Sequence, residues 1–547
     1  MKTSVKVILF TLILIVGCYN SKSKKDDVFD DTGIYTTQYY TDLILKESDI
    51  IAFFNSYSEE ETIINEVNLY YKNRNYQYAW FNKKGMTSAV LTFQNQLQNY
   101  VIDFQDNSLI NKKLDSLIVI TKNENSISSF DENRIKKLEL LLTTTFFKYS
   151  KKVFGGVTNN PHNLNWFIPR NKKNYQILLD SLVLSKNDKN AWEPSNEYYK
   201  KLKEKLKQYR KIEKNGGFPT IATTKKVLVV SESDSCLLKV KQYLLLAGDI
   251  KSNDNSIVFT DSLANAISKF QRRMGLQEDG KIGLSTLEEL NKPIEFRIKQ
   301  IMVNMERLRW FPEEIESNFL IINIPEFKLH VFENYNEIWK TKVVVGKEAT
   351  KTSVFKGNIS QIILNPYWNV PNSIIRNEML PILKRNSSYL SKNNMEVLLG
   401  NKVINPYAIN WKNYKKNIPF AIRQKPGVGN ALGKIKFVFP NNFSIYLHDT
   451  PSKNLFNENK RAFSHGCIRV QEPRKLALYL LRNTENWNEG KVDTILKTNS
   501  LVTIPIKPTV PVYIVYFTAW VDSSGALNFR DDMYGLDKQL VKEIFDL

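Results

Sequence analysis

His448 stands 19 residues before Cys467 (467 − 448 = 19), and the segment between them is polar loop chemistry bounded by strand-like runs. From Ser444 the chain reads Ser-Ile-Tyr-Leu-His-Asp-Thr-Pro, and from Arg461 it reads Arg-Ala-Phe-Ser-His-Gly-Cys-Ile-Arg-Val. Only 4 histidines and 3 cysteines occur in 547 residues, and His448, His465 and Cys467 fall inside this one window. Phe443 to Leu447 reads as a strand with His448 at its end, and Cys467-Ile-Arg-Val as the start of another. Two strands joined by such a loop bring a base to a thiol. A free thiol titrates near ~8.5 and attacks only as thiolate, so it needs a base or a positive field beside it. The bland alternative is a buried Cys467 packing as a small hydrophobe beside a satisfied core histidine.

Further motifs narrow the reading. Asn365-Pro-Tyr-Trp-Asn-Val-Pro371, Gln424-Lys-Pro-Gly-Val-Gly-Asn-Ala-Leu-Gly433, Lys436-Phe-Val-Phe-Pro440 and Tyr446-Leu-His-Asp-Thr-Pro451 occur in this order ahead of Ser464-His-Gly-Cys467. Together they resemble the L,D-transpeptidase (YkuD-type) family, in its large, scaffold-bearing branch. The resemblance covers most of the chain after about residue 218. It implies a multidomain α+β protein: an N-terminal helical scaffold, a three-helix peptidoglycan-binding module, and a mainly-β catalytic domain with a helical cap insertion.

Composition fits packed domains rather than disorder, with 42% hydrophobic residues and 12% aromatics. The formal charge of +21 favours a polyanionic partner such as anionic lipid or a carboxylate-rich polymer, or reflects a lysine-rich solvated surface. No nucleic-acid-binding motif is present, so nucleic acid is the weakest partner. Cys18, Cys236 and Cys467 cannot make a disulfide framework.

Residues 1–17 read as a leader: a basic start, then about ten apolar residues, too few for the roughly 20 that span a bilayer. Ile15-Val-Gly-Cys18 resembles a bacterial lipobox, which implies lipidation at Cys18 and a lipid-anchored protein of the periplasm and cell envelope. Residues 18–42 are a polar tether, and 43–226 a helical scaffold in which Ile64, Val67, Tyr70 and Tyr71 keep helical spacing. His162 reads as a turn residue.

Residues 227–293 form the second unit. Phe270-Gln-Arg-Arg-Met-Gly-Leu-Gln-Glu-Asp-Gly-Lys-Ile-Gly-Leu-Ser-Thr-Leu287 resembles the small peptidoglycan-binding module, with a polar insertion at Lys251 to Ser256. Cys236, ahead of the first helix, reads as buried and inert. A linking helix occupies 294–318 and the catalytic domain 319–506. Within it, 372–424 is a helical cap that includes Met395, Val397 and Leu398; 507–547 is a C-terminal extension of strand, turn and helix.

The resemblance implies Cys467 as nucleophile and His448 as general base, with no cofactor and no metal. Asp449 or a backbone carbonyl orients the imidazole. Backbone N–H groups at His465-Gly466-Cys467 are the expected oxyanion hole, worth roughly 3–4 kcal/mol, with His465 shaping the turn. Arg469 holds a substrate carboxylate or raises the positive field, unless a salt bridge occupies it. Ser464, Tyr446 and Trp368 are expected pocket walls. The implied reaction is 3–3 cross-linking of peptidoglycan on stem tetrapeptides with release of D-Ala. Two rivals are a zinc site of His448, His465 and Cys467, and a non-catalytic lipoprotein that tethers membrane to wall through the binding module.

Overall fold

The computed structural model describes residues 41–122, 131–156, 160–170, 173–184, 196–415 and 417–545. The leader and most of the tether, Cys18 included, lie outside the described residues. No helix among the described residues is long and apolar enough to cross a membrane.

The N-terminal helices pack around Glu132–Ser150, whose residues Leu138 to Phe147 are all buried. The aromatic stretch that breaks the helical pattern is anchored to this helix. Glu139 accepts hydrogen bonds from the Trp80 N–H (3.0 Å) and the Tyr71 hydroxyl (2.7 Å). Burial pushes the Glu139 carboxyl up to about 7. The scaffold reaches the β-rich half directly, because Trp166–Phe167 pairs in parallel with Val354–Leu364. His162 lies in the single 3₁₀ turn Pro161–Leu164, as its neighbours Pro161 and Asn163 suggest.

The second unit has helices Cys236–Ala247, Asp261–Met274 and Leu284–Leu290. Its sequence string is folding chemistry. The Gln271 amide donates to Asp279 (2.8 Å) and to the Lys281 carbonyl (2.9 Å), and accepts from the Gly280 N–H (2.9 Å). Gly275 and Gly280 have φ of +72° and +67°, where glycine is at ease. Cys236 opens the first helix rather than preceding it, and burial pushes its thiol up to about 12.

Ile294–Trp310 is a buried helix between the halves. Asn304 accepts from the Thr518 N–H (2.9 Å) and donates to the Thr518 hydroxyl (2.7 Å), and Arg307 pairs with Asp537 (2.5 Å). The C-terminal segment is thereby sutured to this helix.

Ten strands form one hydrogen-bonded sheet. Its path runs Ile435–Val438, Leu447–His448, Ile468–Val470, Asn336–Gly346, Lys328–Glu333, Phe319–Asn323, Val502–Val515, Val354–Leu364, Trp166–Phe167, with Ala462–Ser464 paired to Asn336–Gly346 off this path. Val354–Leu364 pairs again with Ile435–Val438, which closes the path into a barrel. Val502–Val515 is one strand despite a bulge between Pro505 and Val510, so a boundary at 506/507 cuts through it. The strand holding His448 is only Leu447–His448, because Asn441 binds the Phe443 and Ile445 N–H groups and curls the chain before it.

The insertion has its own core of Val370, Ile375, Met379, Leu380, Leu383, Leu390, Val397, Trp411 and Ile422. It is not purely helical. Met395–Leu399 is a strand, in a sheet with Lys402–Ile404, Ala421–Gln424 and Trp368–Asn369. Leu399 pairs with Lys402 across Gly400-Asn401, and Gly400 has φ of +59°. That two-residue turn forces a hairpin where helical spacing was expected.

Candidate active site

Three adjacent strands set the site. Lys436 pairs with His448, and His448 pairs with Arg469. Phe437, Leu447 and Ile468, one position along on each strand, are fully buried in the main core. Side chains alternate along a strand, so Lys436, His448 and Arg469 form a row on the opposite face, spaced ~4.8 Å per strand. The Ile468 N–H bonds the Tyr446 carbonyl (3.1 Å), which sets Cys467 beside Tyr446 in the neighbouring row. Base and thiol therefore share one face of a parallel strand pair.

The His448 ring is buried, with Nδ1 2.5 Å from the Asp449 carbonyl oxygen. A carbonyl only accepts, so Nδ1 carries the proton and Nε2 carries the lone pair. Burial and the charge of Arg469, then Lys436, hold the imidazole down to about 3. His448 is a neutral base with its tautomer fixed. Asp449's carboxylate does not hold the ring: it accepts from the Lys434 N–H (2.9 Å) and from Lys453 Nζ (2.5 Å).

The Cys467 thiol donates to the Ser444 carbonyl at 3.6 Å. Burial raises its pKa, against the lowering pull of Tyr446, Lys436 and Arg469. The resting pair is thiol and imidazole. Tyr446 packs beside the base: its ring centroid is 5.7 Å from that of His448 and 3.9 Å from Lys436 Nζ.

Ser464 fastens the turn rather than lining a pocket. Its hydroxyl donates to the Cys467 carbonyl (2.5 Å) and accepts from the Gly466 N–H (3.1 Å). The Gly466 N–H is therefore committed to the Ser464 hydroxyl, and the neighbouring N–H groups of this turn are those of His465 and Cys467. Gly466 has φ of +114°, which side-chain-bearing residues rarely adopt.

A second loop holds the turn from behind. Thr352 Oγ1 donates to the Gly466 carbonyl (2.8 Å) and Thr350 Oγ1 to the Ser464 carbonyl (3.0 Å). Tyr534 in turn donates to the Gly346 carbonyl (2.5 Å) and accepts from the Thr352 N–H (3.2 Å). Arg461 pins the long loop by donating to the Glu458 carbonyl (2.6 Å) and the Phe327 carbonyl (3.1 Å). Thr350, Thr352 and Tyr534 are absent from the sequence reading, where Arg461 stands only as the first residue of a quoted stretch, with no role given to it.

His465 shapes no internal bond of the turn with its ring; Nε2 lies 2.9 Å from Glu378 on the insertion. Trp368 pairs with Gln424 and packs on the insertion's core. Arg469 has no carboxylate partner among the described residues, and its Nε is buried without a hydrogen bond. No group of three His, Cys, Asp or Glu side chains among the described residues is arranged to hold a metal ion.

The closed barrel presents the Cys467 thiol and the His448 imidazole on one face, and residues 317–504 match the YkuD family, L,D-transpeptidase catalytic domain. This part of the chain is similar to L,D-transpeptidase catalytic domains of the YkuD type. Residues 65–206 match the Scaffold domain, and residues 237–290 the "Putative peptidoglycan binding domain". A Haemophilus influenzae protein named "Putative L,D-transpeptidase" is 35% identical over 244 residues, which is 44% of this chain and 49% of that protein. The chain thus spans about half the length of this curated relative. Among solved structures, an L,D-transpeptidase from Xylanimonas cellulosilytica is 12% identical, covering 54% of this chain and 100% of its own, with a TM-score of 0.18. One from Stackebrandtia nassauensis is 13% identical, covering 54% and 97%, with a TM-score of 0.22. Scores this low carry no weight beside the matches in sequence.

Proposed function

We propose that the protein is an L,D-transpeptidase that forms 3–3 cross-links in peptidoglycan through a thioacyl-enzyme on Cys467. His448 Nε2 takes the thiol proton as sulfur attacks the carbonyl between the third, diamino-acid residue and the terminal D-Ala of a donor stem. The tetrahedral oxyanion faces the His465 and Cys467 N–H groups. The imidazolium returns its proton to the departing D-Ala amine, leaving a thioester. A side-chain amine of a neighbouring stem then attacks the thioester, its proton passing to His448 and on to the sulfur as the thiol leaves. The insertion, in contact with the turn through Glu378 and His465, stands as the cap. Peptidoglycan is the partner, in the periplasmic cell envelope, with Cys18 as the lipid anchor.

One observation carries this reading: a neutral imidazole with its proton fixed on Nδ1, in the row beside a thiol. The test is incubation with a disaccharide-tetrapeptide and mass spectrometry of the products. Loss of D-Ala with appearance of a 3–3 dimer, both absent with Cys467→Ala, is the expected result. Neither product forming would leave a non-catalytic wall tether as the reading.

A further inference from the structure

Lys436 and Arg469 flank His448 in one cross-strand row, and both are cations without a counter-ion. Among the described residues neither makes an ion pair with a carboxylate, and Arg469 Nε is buried with no hydrogen bond. Lys436 Nζ rests over the Tyr446 ring at 3.9 Å, and Tyr446 is the neighbour of Cys467. The nearby carboxylate of Asp449 is taken up by Lys453 and the Lys434 N–H. Glu378 is taken up by His465. Two half-buried cations ~10 Å apart across two strand spacings are costly to leave unpaired; the charge that favours both from within the site is a Cys467 thiolate, and an anion from outside is the other group that completes them.

We propose that Lys436 and Arg469 form a carboxylate subsite that seats the terminal carboxylate of the departing residue, and that Lys436 is a specificity-determining residue for the donor. The inference rests on the acyl-transfer reading above. In a donor ending in D-Ala, that carboxylate is three bonds from the carbonyl carbon under attack. A carboxylate anchored in the row beside Cys467 holds the scissile amide at the sulfur. Arg469 offers a planar fork and Lys436 a point charge, so the anion is met from both sides. The bound anion also offsets the two charges that weaken His448 as a base, so the imidazole gains basicity when a donor is present. When the residue leaves, its carboxylate leaves with it, and the row is open for the acceptor.

The test compares two alkylating agents with the same reactive carbon, iodoacetate and iodoacetamide, with labelling mapped to Cys467 by mass spectrometry. The rate ratio cancels the thiolate fraction, so it reads anion capture alone. The wild-type iodoacetate-to-iodoacetamide ratio should exceed that of a cysteine-containing peptide by about tenfold or more. Lys436→Met and Arg469→Met should each lower the ratio at least fivefold, and Lys436→Arg should restore most of it. N-acetyl-D-alanine should slow iodoacetate labelling of the wild type while its amide does not, a readout that needs no variant to fold. A ratio equal to the peptide's, or both rates falling together in Lys436→Met, would show that the cations only ionise the thiol and would overturn the subsite. Labelling needs no cross-linking, so failure to make dimer would strike the acyl-transfer reading and leave the ratio as measured.

Discussion

The imidazole of His448 is held by the main-chain carbonyl of the next residue, Asp449, at 2.5 Å, and not by that residue's carboxylate. A backbone orienter fixes the tautomer without placing a negative charge beside the base. The ring thus rests neutral, with its lone pair on Nε2, and no carboxylate among the described residues is hydrogen-bonded to it.

Asp449→Asn should therefore be mild. The side chain serves the Lys434 N–H and Lys453, both at the loop base. Acylation by a β-lactam, followed by intact-mass spectrometry, should slow by less than about tenfold. A carboxylate in the orienting role would cost ~10⁴ when made an amide.

The pH dependence of acylation should lack an acid limb near 6.5. His448 is held down to about 3, so it remains neutral through the ordinary range. Burial raises the Cys467 thiol, so the rate should climb toward alkaline pH. Removing a neighbouring cation raises an imidazole pKa. Arg469→Met should therefore bring a limb upward toward the ordinary histidine range. The profile of the rate constant against pH from 4 to 9 checks both directions.

Ser464→Ala should damage folding and rate together. It strips the partner from the Gly466 N–H and the Cys467 carbonyl, at a cost of ~1–3 kcal/mol for polar groups left unmet in a buried turn. Gly466→Ala should fail for a different reason: there is space, with the nearest atom 3.6 Å from an added Cβ, but φ of +114° is strained for alanine. Chemical unfolding separates the loss of stability from the loss of rate.

Stability should fall on the alkaline side through His330. Its ring sits between Glu326 (2.9 Å) and Glu337 (3.0 Å), and these carboxylates raise its pKa to about 9 against the opposing effect of burial. A raised histidine stabilises the fold fully below its unfolded pKa near ~6.5, and the contribution is lost as pH rises through the folded value. The size is on the order of 3 kcal/mol. Urea midpoints should drop between pH 7 and 10 in the wild type. His330→Gln should be weaker at pH 6 and should flatten that drop.

The sequence announces the thiol and the base because both residue types are scarce and sit together. The barrel strands Phe319–Asn323 and Lys328–Glu333 are legible from their apolar runs. The row of Lys436, His448 and Arg469 is not, because it depends on register between strands separated by long loops. Tyr534 is hidden for a related reason: the Thr352 N–H that it accepts is 182 residues away in the chain. Met395 and Val397 misled because a short apolar run fits helix or strand alike, and the Gly400-Asn401 turn decides. Ser464 passed for a pocket wall because its two hydrogen bonds lie within a single turn and leave no periodic trace.

The role of Cys467 as nucleophile is tested most directly by exposing the protein to a carbapenem, an activated amide, and mapping the adduct by peptide mass spectrometry. One adduct per chain on Cys467, absent in Cys467→Ala and slowed by ~10²–10⁴ in His448→Ala, is the predicted result. An adduct on Cys236, whose buried thiol is pushed up to about 12, or undiminished acylation of Cys467→Ala, would contradict it.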